Sequence, residues 1–296
     1  MARWSFTRDP VAFLDAAGGV LSADPLVATV VATVAERYAA RAADPAWTPP
    51  DELRWFATAF DASGAAVGAA MRTHPSPPHP PFVLPCPEEA AVALARTLHD
   101  RGEEVGGVNG AAPAVSVVAE ELARLGGARV VEDMATRIFE VTDVAPMASP
   151  PGHLRRARPD DVAVCSDWFD RFDAEADAQA GREPGPAGRV DSRRVPERVA
   201  AGTLWVWEVD SEPVHASVLE PPAYGMSRVA LVYTPPEHRG HGYAARAVAE
   251  LAAARLGEGS RVCLFADRDN PVSTGVYERI GFRAAVDTAD LLLVQD

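Results

Sequence analysis

A glycine-containing turn in the second half of the chain has the clearest chemical potential. The stretch Val232-Tyr-Thr-Pro-Pro-Glu-His-Arg-Gly-His-Gly-Tyr-Ala244 joins a predicted strand to an alanine-rich amphipathic helix. Glycine adopts positive φ easily and lets the backbone approach a ligand closely. Consecutive N–H groups at a helix N-terminus attract an anion, and the helix dipole strengthens that attraction. The stretch therefore predicts a phosphate site with pyrophosphate as its natural occupant, although it is neither a Walker loop nor GxGxxG.

A second motif follows about thirty residues later, after a predicted strand at Val262–Phe265. Asn270 is a favourable cap for a helix that begins with Pro271. Tyr277 lies seven residues beyond Asn270, almost two full turns, so it shares a helix face with the cap. Gly281-Phe282 ends the helix and starts another strand. The second motif therefore places a tyrosine phenol on the helix that begins at Pro271.

The two stretches resemble the acetyl-CoA motifs of the GNAT superfamily, the GCN5-related N-acetyltransferases. The first family motif, Q/R-x-x-G-x-G/A, is matched by Arg239, Gly242 and Ala244. The second is matched by Asn270, Tyr277, Gly281 and Phe282. The resemblance covers about residues 152–294. The first half is more weakly similar to a degenerate GNAT-like domain, as in tandem members, and it contains no R-x-x-G-x-G/A motif.

The resemblance implies an α/β (α+β) fold with two GNAT-like domains. Each would have a central mixed, mostly antiparallel sheet flanked by helices. The proline-rich stretch Pro146-Met-Ala-Ser-Pro-Pro-Gly152 is the predicted linker, because proline interrupts helices and internal strands. We therefore expect a degenerate domain at 1–147 and an acetyltransferase domain with the acetyl-CoA site at 152–296.

The resemblance also implies roles for individual residues. The pantetheine arm would lie between two splayed strands, one of them contributing Leu231, Val232 and Tyr233. Tyr277 would be the general acid that protonates the leaving thiolate, and Asn270 would hold the pantetheine or the start of the second helix. The backbone amides of six consecutive residues would bind the pyrophosphate: Arg239, Gly240, His241, Gly242, Tyr243 and Ala244.

The sequence does not identify the general base that would deprotonate the amine, because the predicted central strand at 227–233 contains no carboxylate. Glu220, at the end of the preceding strand, is the nearest candidate, and His215 is a second. A water chain, or an amine that arrives deprotonated, would also serve. A predicted acidic loop at about 173–188, with Glu175 among its acidic residues, follows a helix that starts at Asp160 or Asp161. The resemblance implies that this region covers the acceptor site, where the loop either attracts an ammonium group or is simply solvated.

The expected reaction is direct attack of a primary amine on the acetyl carbonyl of acetyl-CoA. The alternatives are a non-catalytic acetyl-CoA-binding sensor and an acyltransferase that uses another acyl-CoA. The acceptor would be a small-molecule or peptide amine, and the protein a monomer or a homodimer. No metal is expected: His238 and His241 lack a third ligand nearby, and the three cysteines lie far apart.

Charge and hydropathy restrict the partners further. The net charge is −14, all 28 basic residues are arginine, and acidic residues outnumber basic ones in both halves. This balance disfavours nucleic acid and anionic membrane as partners. No stretch has the roughly 18 apolar residues of a membrane span, and the first residues lack a signal-peptide pattern, so we expect a cytoplasmic protein.

The order of predicted elements is similar in the two halves. The first half predicts two helices beginning near Asp9 and Asp24, a strand pair around the turn 61–64, and an extended or irregular proline-rich segment at 74–87. A helix–strand–helix–strand succession follows in both halves, which suggests an internal duplication.

Overall fold

The computed structural model describes residues 2–74, 77–179, 181 and 190–295. The strands are β1 (Arg3–Thr7), β2 (Trp55–Phe60), β3 (Ala66–Arg72), β4 (Phe82–Val83), β5 (Gly107–Ala111), β6 (Ala128–Val141), β7 (His153–Arg156), β8 (Leu204–Val209), β9 (Glu212–Leu219), β10 (Met226–Tyr233), β11 (Arg261–Asp267) and β12 (Arg283–Gln295). The α-helices are α1 (Pro10–Ala23), α2 (Pro25–Ala42), α3 (Glu88–Asp100), α4 (Ala114–Gly126), α5 (Val162–Gln179), α6 (Val195–Ala200), α7 (Tyr243–Gly257) and α8 (Pro271–Ile280).

The chain divides into two compact units. Unit 1 comprises Met1–Thr136 and Val286–Asp296, and unit 2 comprises Arg137–Ala285. The proline-rich stretch at 146–152, where the sequence predicts the domain boundary, lies within unit 2. Most of β12 belongs to unit 1, because residues 288–292 pair antiparallel with β5.

Unit 1 contains an antiparallel succession β1-β2-β3-β4, and β4 then pairs parallel with β5. The helices α1 and α2 begin where the sequence provides caps: the Asp9 carboxylate accepts from the N–H groups of Val11 and Ala12, and proline occupies the first position of both helices. Leu94 and Val115 on facing helices pack with Trp55 in one core cluster.

Unit 2 has the strand order β7-β8-β9-β10-β11. Neighbouring strands are antiparallel except β10 and β11, which are parallel. Six of the eight residues of β9 and four of the eight residues of β10 are buried, and apolar clusters lie on both faces of these strands. These mixed, mostly antiparallel sheets with flanking helices confirm the predicted fold class.

Both halves of the chain follow one succession of elements: strand, two helices, three antiparallel strands, helix, strand, helix and strand. The predicted repetition of element order is therefore confirmed. The short strands β1 and β4 were not predicted from the sequence, and β4 lies in the segment expected to be extended or irregular. β4 has only two residues, which is too short to produce an alternating pattern.

The predicted acidic loop is wrong over its first part, because α5 continues to Gln179. Residues 182–188 of that prediction lie outside the described residues. Asp173 and Asp177 are buried side chains of the helix, whereas Asp170 is exposed. Within the ranges given above, no helix is both long enough and apolar enough to cross a membrane.

Candidate active site

The two parallel strands at the centre of unit 2 separate towards their C-terminal ends. The pairing of β10 with β11 starts at Met226 and Arg261 and ends at Val229 and Leu264, although both strands continue further. On the other side of β10, a register shift leaves Leu231 and Val232 opposite a single residue of β9. Leu231 has a φ of 51° at this bulge. A bulge leaves an extra residue outside the ladder, so backbone N–H and C=O groups become available at this end of β10.

The glycine turn after β10 requires glycine for its backbone conformation. Gly240 and Gly242 have φ values of 80° and 84°, which L-residues adopt only with strain. A Cβ atom added to either residue would meet no protein atom within 4 Å, so the space over the turn is open. No side chain caps α7, which starts at Tyr243, and its first-turn N–H groups have no partner within the helix. The turn and the helix start together form an open anion site.

One cavity of about 440 Å³ extends from this turn. Its walls come from the end of β10, the turn, the start of α7, the helix α8 and one face of α5. Among the sequence-predicted residues, it is lined by Val232, Tyr233, Arg239, Gly240, Gly242, Tyr243, Ala244 and Tyr277. Leu231, His241, Asn270 and Glu220 are not among its lining residues. The two sequence motifs therefore meet at a single cavity.

The helix α8 presents Tyr277 to this cavity. The Asn270 side-chain oxygen accepts hydrogen bonds from the N–H groups of Val272 and Ser273 at 3.1 and 3.2 Å, so Asn270 is the N-cap of α8. Gly281 ends the helix with a φ of 117°, where a Cβ would press on the Asp143 carbonyl at 2.5 Å. Tyr277 is 8% exposed, and burial raises the pKa of its phenol. The phenol therefore keeps its proton at neutral pH.

Comparisons with known proteins agree with this geometry. Residues 215–290 match the family model described as FR47-like protein, which is of GNAT type. A GNAT-family acetyltransferase from Colwellia psychrerythraea is 11% identical, with 99% of this chain and 100% of that one covered and a TM-score of 0.55. A Drosophila protein is 14% identical, with coverages of 99% and 98% and a TM-score of 0.65. A GCN5-related N-acetyltransferase from Sphaerobacter thermophilus is 18% identical, with coverages of 100% and 96% and a TM-score of 0.51.

The chain has a GNAT-like fold. At these identities the solved structures show the fold alone, and no curated protein matches the sequence. The region that matches the family model begins on β9 and continues through the glycine turn, α7, β11 and α8 into β12. It therefore contains both motifs that meet at the cavity.

Glu220 lies away from the cavity of unit 2. Its backbone N–H donates to the Arg228 carbonyl, near the beginning of β10, whereas the cavity is at the opposite end of that strand. The five residue steps from 228 to 233 span about 16 Å at the usual rise of a strand. The Glu220 carboxylate is 3.8 Å from the Arg198 guanidinium, which gives it a structural partner.

His215 is completely buried on β9 beside the central strand. Its Nδ1 is 2.8 Å from the Thr234 hydroxyl, and its Nε2 is 2.7 Å from the Ser217 hydroxyl. Burial lowers the pKa of the imidazole to about 3, so the ring is neutral at pH 7. Thr234 lines the cavity, but the imidazole itself does not.

The carboxylate that does line the cavity is Glu175, which the sequence analysis placed in an acidic loop and which the structure places on α5. Its Oε1 accepts a hydrogen bond from the Tyr233 hydroxyl at 2.9 Å, and its other oxygen pairs with the Arg239 guanidinium. The available signal was helical spacing: Phe172, Glu175, Ala176 and Gln179 follow the pattern i, i+3, i+4, i+7, and all four line the cavity. The predicted end of the helix near 172 concealed that pattern.

No metal site is evident in the described part of the chain, where no three His, Cys, Asp or Glu side chains gather suitably. The His241 ring stacks on the Tyr243 ring with centroids 5.4 Å apart. The three cysteines are free thiols, and burial raises the pKa of the Cys86 and Cys165 thiols.

Proposed function

We propose that this protein is an acetyl-CoA-dependent N-acetyltransferase with its active site in the cavity of unit 2. One observation carries the proposal: the uncapped start of α7 and the Tyr277 phenol open into the same cavity, beside the separated ends of β10 and β11. An anion site, free strand edges and a proton donor are the three features that a thioester-using acyltransferase needs. Acetyl-CoA is a cosubstrate in this proposal, and no metal is required.

The residues at the cavity suit the separate parts of acetyl-CoA. The amides from Arg239 to Ala244 would bind the pyrophosphate, because the two positive-φ glycines leave open space above them. The bulged end of β10, at Leu231, Val232 and Tyr233, offers backbone groups for the pantetheine arm. Asn270 supports the site by fixing the start of α8 rather than by lining the cavity.

The chemistry assigned to the chain is proton transfer and positioning. When bound, acetyl-CoA supplies the thioester carbonyl that the amine nitrogen attacks, and the carbon–sulfur bond then breaks. Backbone N–H groups at the β10 bulge would stabilise negative charge on the carbonyl oxygen. Tyr277 would donate its proton to the leaving sulfur, a role that suits a phenol kept protonated by burial. The proton lost by the attacking amine would pass to water and restore the phenol.

Unit 1 is proposed to be a degenerate GNAT-like domain that binds no acetyl-CoA. Its helix α3 occupies the position in the element order that α7 has in unit 2, but Glu88 and Glu89 stand in its first turn. These carboxylates would repel a phosphate there. In addition, Gly110 lies so close to the Val83 carbonyl that a Cβ would collide with it, so β4 and β5 leave no space between them.

The proposed acceptor is a small-molecule or peptide amine. The net charge of −14 gives no support to nucleic acid or an anionic membrane as a partner. We further propose a cytoplasmic location and a monomer or homodimer.

The test combines thiol release with one substitution, Tyr277→Phe. The ring contact of Tyr277 with Phe282, at 6.1 Å between centroids, does not depend on the hydroxyl, so the variant is expected to fold. We expect acetyl-CoA affinity within twofold of the wild type in calorimetry, and thiol release slower by about 10²- to 10⁴-fold. A wild type that binds acetyl-CoA but releases no thiol with any amine would instead indicate the sensor. Preference for a longer acyl-CoA would indicate another acyltransferase.

A further inference from the structure

We infer that Glu175 is the residue that recognises the acceptor, and that the acceptor is a monoamine on an apolar stem rather than a polycation. The inference rests on the proposed function, because it assigns the acceptor side of the same cavity. It comes from the face of α5 that lines the cavity, for which the two sequence motifs give no role.

The Glu175 carboxylate is held in place from two sides. The Tyr233 hydroxyl donates to Oε1 at 2.9 Å, and the Arg239 guanidinium pairs with Oε2. Arg239 is itself fixed, since its Nε donates to the Thr234 carbonyl at 2.9 Å. The carboxylate is therefore oriented before any substrate arrives, and its side chain remains 23% exposed.

This carboxylate still has capacity for a ligand. An ionised carboxylate offers about four lone-pair positions. One hydrogen bond from Tyr233 and one from Arg239 occupy two of them, while the Arg171 guanidinium stands 4.0 Å away, beyond hydrogen-bond distance. An amine or ammonium N–H from the cavity can therefore be bound without breaking the existing contacts.

The surroundings of Glu175 restrict the rest of the acceptor. Phe172 and Tyr233, with ring centroids 6.3 Å apart, and Ala176 provide apolar surface next to the carboxylate. Arg239 and Arg279 also line the cavity, and Glu175 is the sole carboxylate among its described lining residues. A second positive charge on the acceptor would thus face the Arg239 and Arg279 guanidinium groups, with no second carboxylate among the described lining residues to pair with it. The same cations favour the neutral, nucleophilic form of a single bound amine.

The experiment measures thiol release from acetyl-CoA with 2-phenylethylamine, n-butylamine and spermidine as acceptor probes. For the wild type we expect a higher kcat/KM with the two monoamines than with spermidine. In E175Q the KM for the monoamines should rise about 10- to 100-fold, as for the loss of one hydrogen bond to a charged group. The KM for acetyl-CoA should change less than twofold, and E175D should restore part of the amine affinity.

Asp170→Asn is the matched control, because it removes the same charge from an exposed position on α5 that does not line the cavity. Its KM values should equal those of the wild type. If the wild type turns over the monoamines and E175Q keeps their KM, the assignment of Glu175 is overturned while the acetyltransferase stands. A preference for spermidine overturns the acceptor class. Absence of thiol release with all three probes overturns this inference, and absence of acetyl-CoA binding overturns the proposed function with it.

Discussion

The glycine at the start of α7 allows a quantitative test of the phosphate site. Gly242 has a φ of 84° and open space around it, so alanine would fit sterically but would adopt the left-handed conformation with strain. That strain costs about 1–2 kcal/mol. The new methyl group would also occupy the space in which the pyrophosphate is proposed to lie.

Gly259 provides a matched control at the other end of the same helix. Its φ is 82°, and a Cβ added there also meets no atom within 4 Å. The 15 residues of α7 separate the two glycines by about 22 Å at the usual helical rise. Gly259→Ala should therefore lose the same stability, about 1–2 kcal/mol, without touching the cavity.

The two variants are expected to differ in acetyl-CoA binding. A hydrogen bond to a charged group contributes about 1.5–3 kcal/mol, so displacing one phosphate contact should weaken binding by about 10- to 150-fold in Gly242→Ala. Gly259→Ala should bind like the wild type. Calorimetric titration gives the affinities, and urea unfolding followed by tryptophan fluorescence gives the stabilities. Two outcomes would refute the phosphate site at α7: both variants bind acetyl-CoA as tightly as the wild type, or both lose the same amount of affinity.

Three further predictions concern unit 2 and the stoichiometry. The buried imidazole of His215 has a pKa of about 3 in the folded protein and roughly 6.5 in the unfolded chain. As the pH is lowered, the unfolded chain is therefore protonated at a higher pH than the folded protein. The free energy of unfolding falls between pH 6.5 and 3 for this reason. From pH 7 to 4.5 the loss should be about 3 kcal/mol in urea unfolding, and an equally steep loss in His215→Gln would contradict this. Asn270→Ala should cost about 1 kcal/mol through loss of the α8 cap, and an unchanged unfolding midpoint would argue against that cap. Titration should give one acetyl-CoA per chain, because Glu88 and Glu89 open the corresponding helix of unit 1, whereas two equivalents would refute the assignment of unit 1.

Segments with strong local signals were predicted well. The sequence predicts a helix from Pro271 to Ile280, and α8 has those bounds. The strand predicted at 262–265 lies within β11, and the alanine-rich helix predicted after the glycine turn is α7. Asparagine caps, proline at the first helical position and glycine at positive φ act within a few residues, so their effect does not depend on the rest of the fold.

Local sequence signals did not predict the side of the cavity that is lined by α5. The acidic residues after 172 favoured a solvated loop, whereas α5 continues to Gln179, with Asp173 and Asp177 buried and Glu175 lining the cavity. Glu220 follows β9 directly, yet the antiparallel register of β9 and β10 carries it to the end of β10 that is remote from the cavity. Cross-strand register and helix orientation depend on residues distant in sequence.

The sequence by itself determined the positive-φ glycine turn and the phenol-bearing helix, because φ preferences and helix caps are encoded by adjacent residues. It also determined the repeated order of strands and helices. Only the tertiary structure decided that these motifs meet at one cavity, that Glu175 is its carboxylate, and that the C-terminal strand pairs with β5. Those outcomes follow from burial and strand pairing between segments up to 185 residues apart, such as Leu292 with Gly107, which local preferences do not specify.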